Sequence, residues 1–273
     1  MRRLPALLIG LVLALASLPA AAFELTDFGK GHRTEIQRFA VNNSLFTLYH
    51  EVAHLLIDQM DLPVIGREED VADNIATWLL LQRGTPEANR ALEDAAQGWI
   101  MTGNSYDNHW TDEDFASGYS PDRQRAMQIV CMIVGANETA FRPVANYYSM
   151  HPDRQNSCHF EYDLVDRSLR GLLGDAGVGT EVSIAYDSAS AELEPAENML
   201  RRSGIMETVA TQLRKGYRLH RPVKMTATEC GEPNAFYDSS TVEIIFCYEL
   251  MDEFVDMYGA DLPTVPAVER KKR

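Results

Sequence analysis

His50-Glu51-Val52-Ala53-His54 sets two imidazoles four residues apart, with a carboxylate directly after the first. On a helix, positions i and i+4 lie on one face about one turn apart, so both rings can bind one metal ion from the same side. Glu51 projects about 100° around the helix from His50, where it can hold a water rather than the ion. A bound zinc ion lowers the pKa of such a water, and the carboxylate can take its proton. With seven histidines in 273 residues, chance supplies an HExxH in about one or two chains per hundred. The motif therefore needs support from its surroundings.

A third ligand is available in Glu69, with Asp73 four residues on and on the same face of the next helical stretch. The centre of the histidine pair lies about 12 Å before the end of its helix near Met60. If the next helix returns alongside at about 9 Å, residues 60 to 67 must span about 15 Å, and seven residues reach about 23 Å. Glu69 can thus arrive beside the imidazoles, and Asp73 can accept a hydrogen bond from a ring N–H. Glu68, Glu69 and Asp70 also suit a helix N-terminus on electrostatic grounds alone. It is the HExxH nearby that makes Glu69 a candidate ligand.

These segments resemble the gluzincin metallopeptidases, in which two histidines of HExxH and a later glutamate of an E-x-x-x-D helix bind zinc. Glu69-Asp70-Val71-Ala72-Asp73 fits that second helix. Asn234-Ala235-Phe236-Tyr237, with Val242-Glu243-Ile244-Ile245 after it, resembles the gluzincin edge-strand segment. The resemblance implies that Asn234 and Ala235 hold an extended peptide by strand addition. The chain as a whole resembles a family of exported bacterial metallopeptidase-like proteins with HELGH-like, GREEDAAD-like, NAFYD-like and CYEL-like segments. Two features depart from the gluzincin pattern. The edge-strand segment follows HExxH by about 180 residues instead of preceding it, which implies a circularly permuted arrangement, and the His54-to-Glu69 spacing of 15 is short. A hydrogen-bond donor for the developing oxyanion is expected opposite the metal. Tyr237, Tyr248, His109, His159 and His220 are the candidates, and the sequence does not choose among them.

The elements that must position these groups read as mainly helical. Asn43 or Ser44 is a candidate cap for a helix running to about Met60, stopped by Asp61-Leu62-Pro63. A second helix is predicted from about Arg67 to Arg83, closed by Gly84. Thr85-Pro86 and Ser120-Pro121 each open a further helix. Others are predicted over about Phe160 to Leu173, Pro195 to Gly216 and Tyr248 to Tyr258. Short strands are predicted at Val182–Tyr186, Pro222–Thr228 and Val242–Phe246, the last two joined by the turn-rich CGEPNAFYDSS. Residues 45–63 and 243–263 share an apolar run and a closing Asp-Leu-Pro, which a duplicated unit would explain but which two amphipathic helices with similar stops, the preferred reading, would also produce.

Composition bounds the function classes. The chain is 45% hydrophobic and 24% charged, ordinary globular usage. Forty acids against 25 Lys+Arg give a net charge of −15, which disfavours a phosphate-backbone partner. Arg2 and Arg3, the apolar run to Ala16, Pro19 and Ala20-Ala21-Ala22 read as a signal peptide over residues 1–22. No later stretch is apolar and long enough to span a bilayer. Residues 23–273 are then expected as one domain, with a flexible Gly/Ala/Ser-rich segment over about 174–191. Export permits disulfides, and close spacing favours Cys131–Cys158 and Cys230–Cys247.

The expectation is thus an α+β zincin-like metallopeptidase, mainly helical with a small sheet, secreted or periplasmic, binding one Zn²⁺ through His50, His54 and Glu69. Glu51 is the expected general base, Asp73 supports a ligand, and a peptide or protein is the expected substrate. The alternatives are a catalytically silent, zinc-stabilised binding protein of the cell envelope, and a chain without metal whose HExxH merely lies on a polar helix face.

Overall fold

In the computed structural model, which describes residues 25–105, 112–174 and 177–263, the chain is mainly helical with one four-stranded sheet. Among the described residues ten α-helices run in chain order: α1 (Lys30–Gln59), α2 (Glu68–Arg83), α3 (Pro86–Ser105), α4 (Asp112–Ala116), α5 (Asp122–Ala136), α6 (Glu138–Tyr147), α7 (Pro152–Leu173), α8 (Glu194–Ser203), α9 (Ile205–Gly216) and α10 (Tyr248–Gly259). The strands are β1 (Val182–Tyr186), β2 (Val223–Thr228), β3 (Ala235–Asp238) and β4 (Glu243–Cys247).

Helix α1 is the axis of the molecule. Its 30 residues make a rod of about 45 Å, packed by α2, α3, α9 and α10 and by strands β3 and β4. With neighbours on every side it buries residues around most of its circumference, from Ile36 and Phe39 through Leu48, Tyr49 and Val52 to Leu55 and Leu56. It also begins at Lys30, a dozen residues before the expected start. Asn43 and Ser44 are cap-type residues, but both are buried in mid-helix. The Asn43 amide donates to the carbonyls of Phe39 (2.9 Å) and Asp94 (3.2 Å), and Ser44 lies against the Met251 sulfur. Their polar groups are satisfied across helix contacts, so nothing ends the helix there.

Other boundaries follow local chemistry. Thr85 caps α3 by accepting the Ala88 N–H, and Gly84 closes α2 in the left-handed conformation. Gly204, with φ of +66°, divides the predicted Pro195–Gly216 helix into α8 and α9. Helix α6 has no counterpart among the expected elements; Asn137 caps it by accepting the Ala140 N–H. Helix α7 starts at Pro152 rather than near Phe160. Residues 45–63 lie largely within one helix, whereas 243–263 form a strand and then a helix, so their likeness is not a repeated unit of structure.

The sheet order is β1-β2-β4-β3, parallel from β1 to β4, with β3 antiparallel on the edge. The segment expected to be a turn therefore contains a short strand. The Cys247 N–H donates to the Asn234 carbonyl at 3.0 Å. In that register Asn234 and Phe236 bond β4, while Ala235 and Tyr237 turn their N–H and C=O groups toward the free edge. Two disulfides, Cys131–Cys158 and Cys230–Cys247, tie α5 to α7 and the segment before β3 to the end of β4. These are the pairings that close spacing favours.

Helices α5 and α7 approach closely at Gly135, where a Cβ would lie 2.4 Å from the Cys158 carbonyl oxygen. Alanine gains about 1 kcal/mol over glycine as a helix former. Overpacking against backbone that cannot swing aside costs about 1–3 kcal/mol. The contact should win: Gly135→Ala is expected to lower the midpoint of thermal unfolding, measured by circular dichroism, and an unchanged or raised midpoint would contradict the close approach.

Candidate metal centre and active site

Helix α1 brings His50 and His54 to one face, and the first turn of α2 returns beside them after the stop at Leu62-Pro63. The His50 Nε2 lies 3.0 Å from Glu69 Oε2 and 3.1 Å from His54 Nε2, and His54 Nε2 is 3.6 Å from the same Glu69 oxygen. Three ligand-type atoms thus form one small triangle. An ion about 2.0–2.2 Å from each of three tetrahedrally arranged donors needs them about 3.4 Å apart. The triangle is close to that size, so two imidazoles and a carboxylate fit a divalent metal ion with one position left open. Among the described residues, the other grouping of possible ligands, Cys230, Cys247 and Glu249, is committed elsewhere. Its sulfurs form a disulfide and the Glu249 carboxylate accepts the N–H groups of Cys230 and Gly231.

Each imidazole is oriented by a carboxylate on its other nitrogen. His50 Nδ1 faces Asp73 Oδ1 and His54 Nδ1 faces Glu68 Oε1, both at 2.9 Å. The Asp73 contact matches the spacing argument. Glu68 is a contributor that sequence reasoning assigned only to the helix dipole. Asp73 is itself gripped by Arg125 of α5, whose Nε and Nη2 donate to its two oxygens at 2.6 and 2.8 Å. The Arg125 guanidinium lies 3.6 Å from the centre of the Trp99 ring of α3. Both charges of that pair are buried. No local periodicity marks Arg125 or Trp99, which reach the site from two other helices.

The charges support one another. Burial works against a charged His50, but the hydrogen bonds that its ring donates to the Asp73 and Glu69 carboxylates outweigh it and raise the ring to about 9. Burial would raise Glu69, yet the two imidazoles hold it well below the usual carboxylate range. Asp73 is likewise kept low against its burial by Arg125 and His50. Glu51 differs: burial pushes it up to about 7, moderated by His50 and His54. Its carboxylate accepts the backbone N–H of Tyr237 on the free edge of β3. The general-base candidate is therefore anchored to the edge strand.

A cleft of about 880 Å³ joins these groups. It is lined by His50, Glu51, His54 and Glu69 on one side and by Asn234 and Ala235 on another. The Ala235 N–H bonds the Asn234 side chain at 2.9 Å. Of the five residues proposed as oxyanion donors, Tyr237 lines the cleft but its hydroxyl donates to Asp58 at 2.7 Å. Tyr248 donates to the Asp187 carbonyl. His159 bonds the Asn156 carbonyl on the outside of α7 and His220 is exposed. Neither histidine nor Tyr248 lines the cleft, and His109 lies outside the described residues.

Because an imidazole must lose a proton to accept a metal, and His50 holds its proton up to about 9, metal affinity should rise with pH between about 6 and 9, with protons released on binding. Calorimetric zinc titrations in buffers of different ionisation enthalpy would show this; pH-independent binding without proton release would contradict it. Removing one partner of a buried, bidentate ion pair typically costs about 3–5 kcal/mol. Arg125→Ala should accordingly lower stability by that order in chemical denaturation, and a loss below about 1 kcal/mol would show that the pair carries little.

No curated protein and no solved structure matches the chain. One family does: the sequence pattern of the family described as "Putative metallopeptidase" (DUF4344) matches residues 18–173 and 186–269. The two segments take in the histidine pair, the α2 acids, Arg125 and the edge strand, and the chain belongs to this family.

Proposed function

We propose that the protein is an exported zinc-dependent peptidase of zincin-like, circularly permuted architecture, with His50, His54 and Glu69 as ligands and Glu51 as general base. The observation that carries the reading is the meeting of His50 Nε2, His54 Nε2 and Glu69 Oε2 in one cleft that the buried Glu51 also lines. A zinc ion held there would supply Lewis-acid polarisation and acidify a coordinated water. Glu51, buried next to the imidazoles and held by the Tyr237 N–H, is placed to accept a proton from that water and return it to the leaving amine. Asp73 and Glu68 fix the imidazole tautomers by accepting from Nδ1, so that each Nε2 presents a lone pair. Asn234 and Ala235 border the cleft beside this centre, and the outward carbonyl of Ala235 suits pairing with an extended peptide.

Export rests on separate support. Two disulfides fit an oxidising compartment. Among the described residues no helix is long and apolar enough to cross a membrane. Residues 1–22, read as a signal peptide, lie outside the described residues.

The test combines metal analysis with a peptide-library assay on purified protein. Wild type should carry about one zinc per chain, and His54→Ala should lose most of it. Glu51→Gln should keep zinc while hydrolysis falls by at least about 10²-fold, whereas Glu69→Gln should lose metal and activity together. Equal cleavage by wild type and Glu51→Gln would favour a zinc-stabilised binding protein instead.

A further inference from the structure

The first turn of α2 also builds a position that the ligands alone do not explain. Arg67, just before it, donates to the carbonyls of Phe115 and Tyr119 and to the Ser120 hydroxyl at 3.2–3.3 Å. Asp70 accepts from that same hydroxyl at 3.0 Å. Ser117 closes a turn onto the Tyr119 N–H at 2.9 Å. The strap from Phe115 to Ser120 is thus pinned to the same helical turn that supplies Glu68 and Glu69. Its Tyr119 side chain lines the cleft and its ring lies 5.7 Å from the Arg125 guanidinium, which grips Asp73.

The cleft has few hydroxyls to offer a reacting carbonyl. Those of Thr47 and Thr102 bond carbonyls of their own helices, Tyr237 is held by Asp58, and Ser239 sits beyond the end of β3. Tyr119 is the other tyrosine that lines the cleft. Burial and the charges of Glu69 and Glu51 keep it above its usual pKa, so it stays a donor at neutral pH.

We propose that Tyr119 is the catalytic hydrogen-bond donor to the carbonyl oxygen of the scissile peptide bond, held over the cleft by a strap that Arg67 and Asp70 fasten to α2. The assignment rests on the peptidase reading above and adds the residue that stabilises the negative charge gathering on that oxygen. None of the residue types that flagged the histidine pair points to it, because its place is set by backbone contacts of the strap.

The test uses zinc-loaded wild type, Tyr119→Phe and Glu51→Gln on a quenched fluorescent peptide library. It adds calorimetric binding of two probes: a peptide phosphinate, whose tetrahedral anion mimics the charged oxygen, and a peptide hydroxamate, which ligates metal without that geometry. Tyr119 is half exposed, so losing one hydroxyl should leave fold and zinc content intact. Tyr119→Phe is expected to lower kcat by about 10²–10³-fold with KM held, and to weaken the phosphinate but not the hydroxamate. An unchanged kcat, a change in KM alone, or equal weakening of both probes would overturn the assignment. If wild type outpaces Glu51→Gln while Tyr119→Phe matches wild type, only the role of Tyr119 fails. If wild type and Glu51→Gln cleave equally, the peptidase reading fails and takes this assignment with it.

Discussion

Two imidazoles facing one another at 3.1 Å on a buried helix are an unfavourable arrangement unless negative charge lies beside them. The first turn of α2 supplies that charge. Glu69 lies between the rings, Glu68 takes the outer nitrogen of His54 and Asp73 that of His50. The rest of the structure follows from bringing this turn against the middle of α1. The short connection through Leu62-Pro63 sets the antiparallel return. Arg125 then compensates the carboxylate that sits deepest, and Trp99 covers the guanidinium with a ring face. Glu51 is the acid in this cluster whose pKa rises, because burial outweighs the neighbouring imidazoles. The same environment thus depresses the carboxylates that hold the imidazoles and raises the one suited to proton transfer.

The run Arg67-Glu68-Glu69-Asp70 and Asp73 organises more than the ligands. Arg67 and Asp70 fasten the strap that carries Tyr119, and the three other acids reach the imidazoles. From the opposite side, β3 gives its Tyr237 N–H to Glu51. The strap and β3, on two sides of the cleft, are therefore tied to α2 and α1. The Cys230–Cys247 disulfide and the Glu249 carboxylate secure the segment leading into β3, so the strand beside Glu51 is held at its entry. In catalytic terms the supporting contacts act on orientation, which a static cleft must supply before chemistry begins.

How much of this was legible in the residues depends on sequence distance. The i, i+4 histidine pair and the nearby E-x-x-x-D have spacings fixed by helix geometry, so their convergence could be reasoned from the chain's reach alone. The contact of Asp73 with a ring nitrogen could be reasoned the same way. Arg125, Trp99 and Tyr119 come from α3, α5 and the strap between them, and no local pattern distinguishes a buried arginine from a surface one. Glu68 was hidden by a competing explanation, since acids suit any helix N-terminus. The start of α1 was misplaced because Asn43 and Ser44 find partners across helix packing instead of capping. The edge strand was masked by turn-forming residues on both sides of Ala235–Asp238, and only a resemblance to known metallopeptidases pointed to it.

The central claim is that one ion binds where α1 meets the first turn of α2. An anomalous difference map, recorded at the zinc absorption edge from crystals of zinc-loaded protein, tests it most directly. The account predicts one strong peak about 2.0–2.2 Å from His50 Nε2, His54 Nε2 and a Glu69 carboxylate oxygen. A peak at other residues, or none in this cleft at full zinc loading, would contradict it.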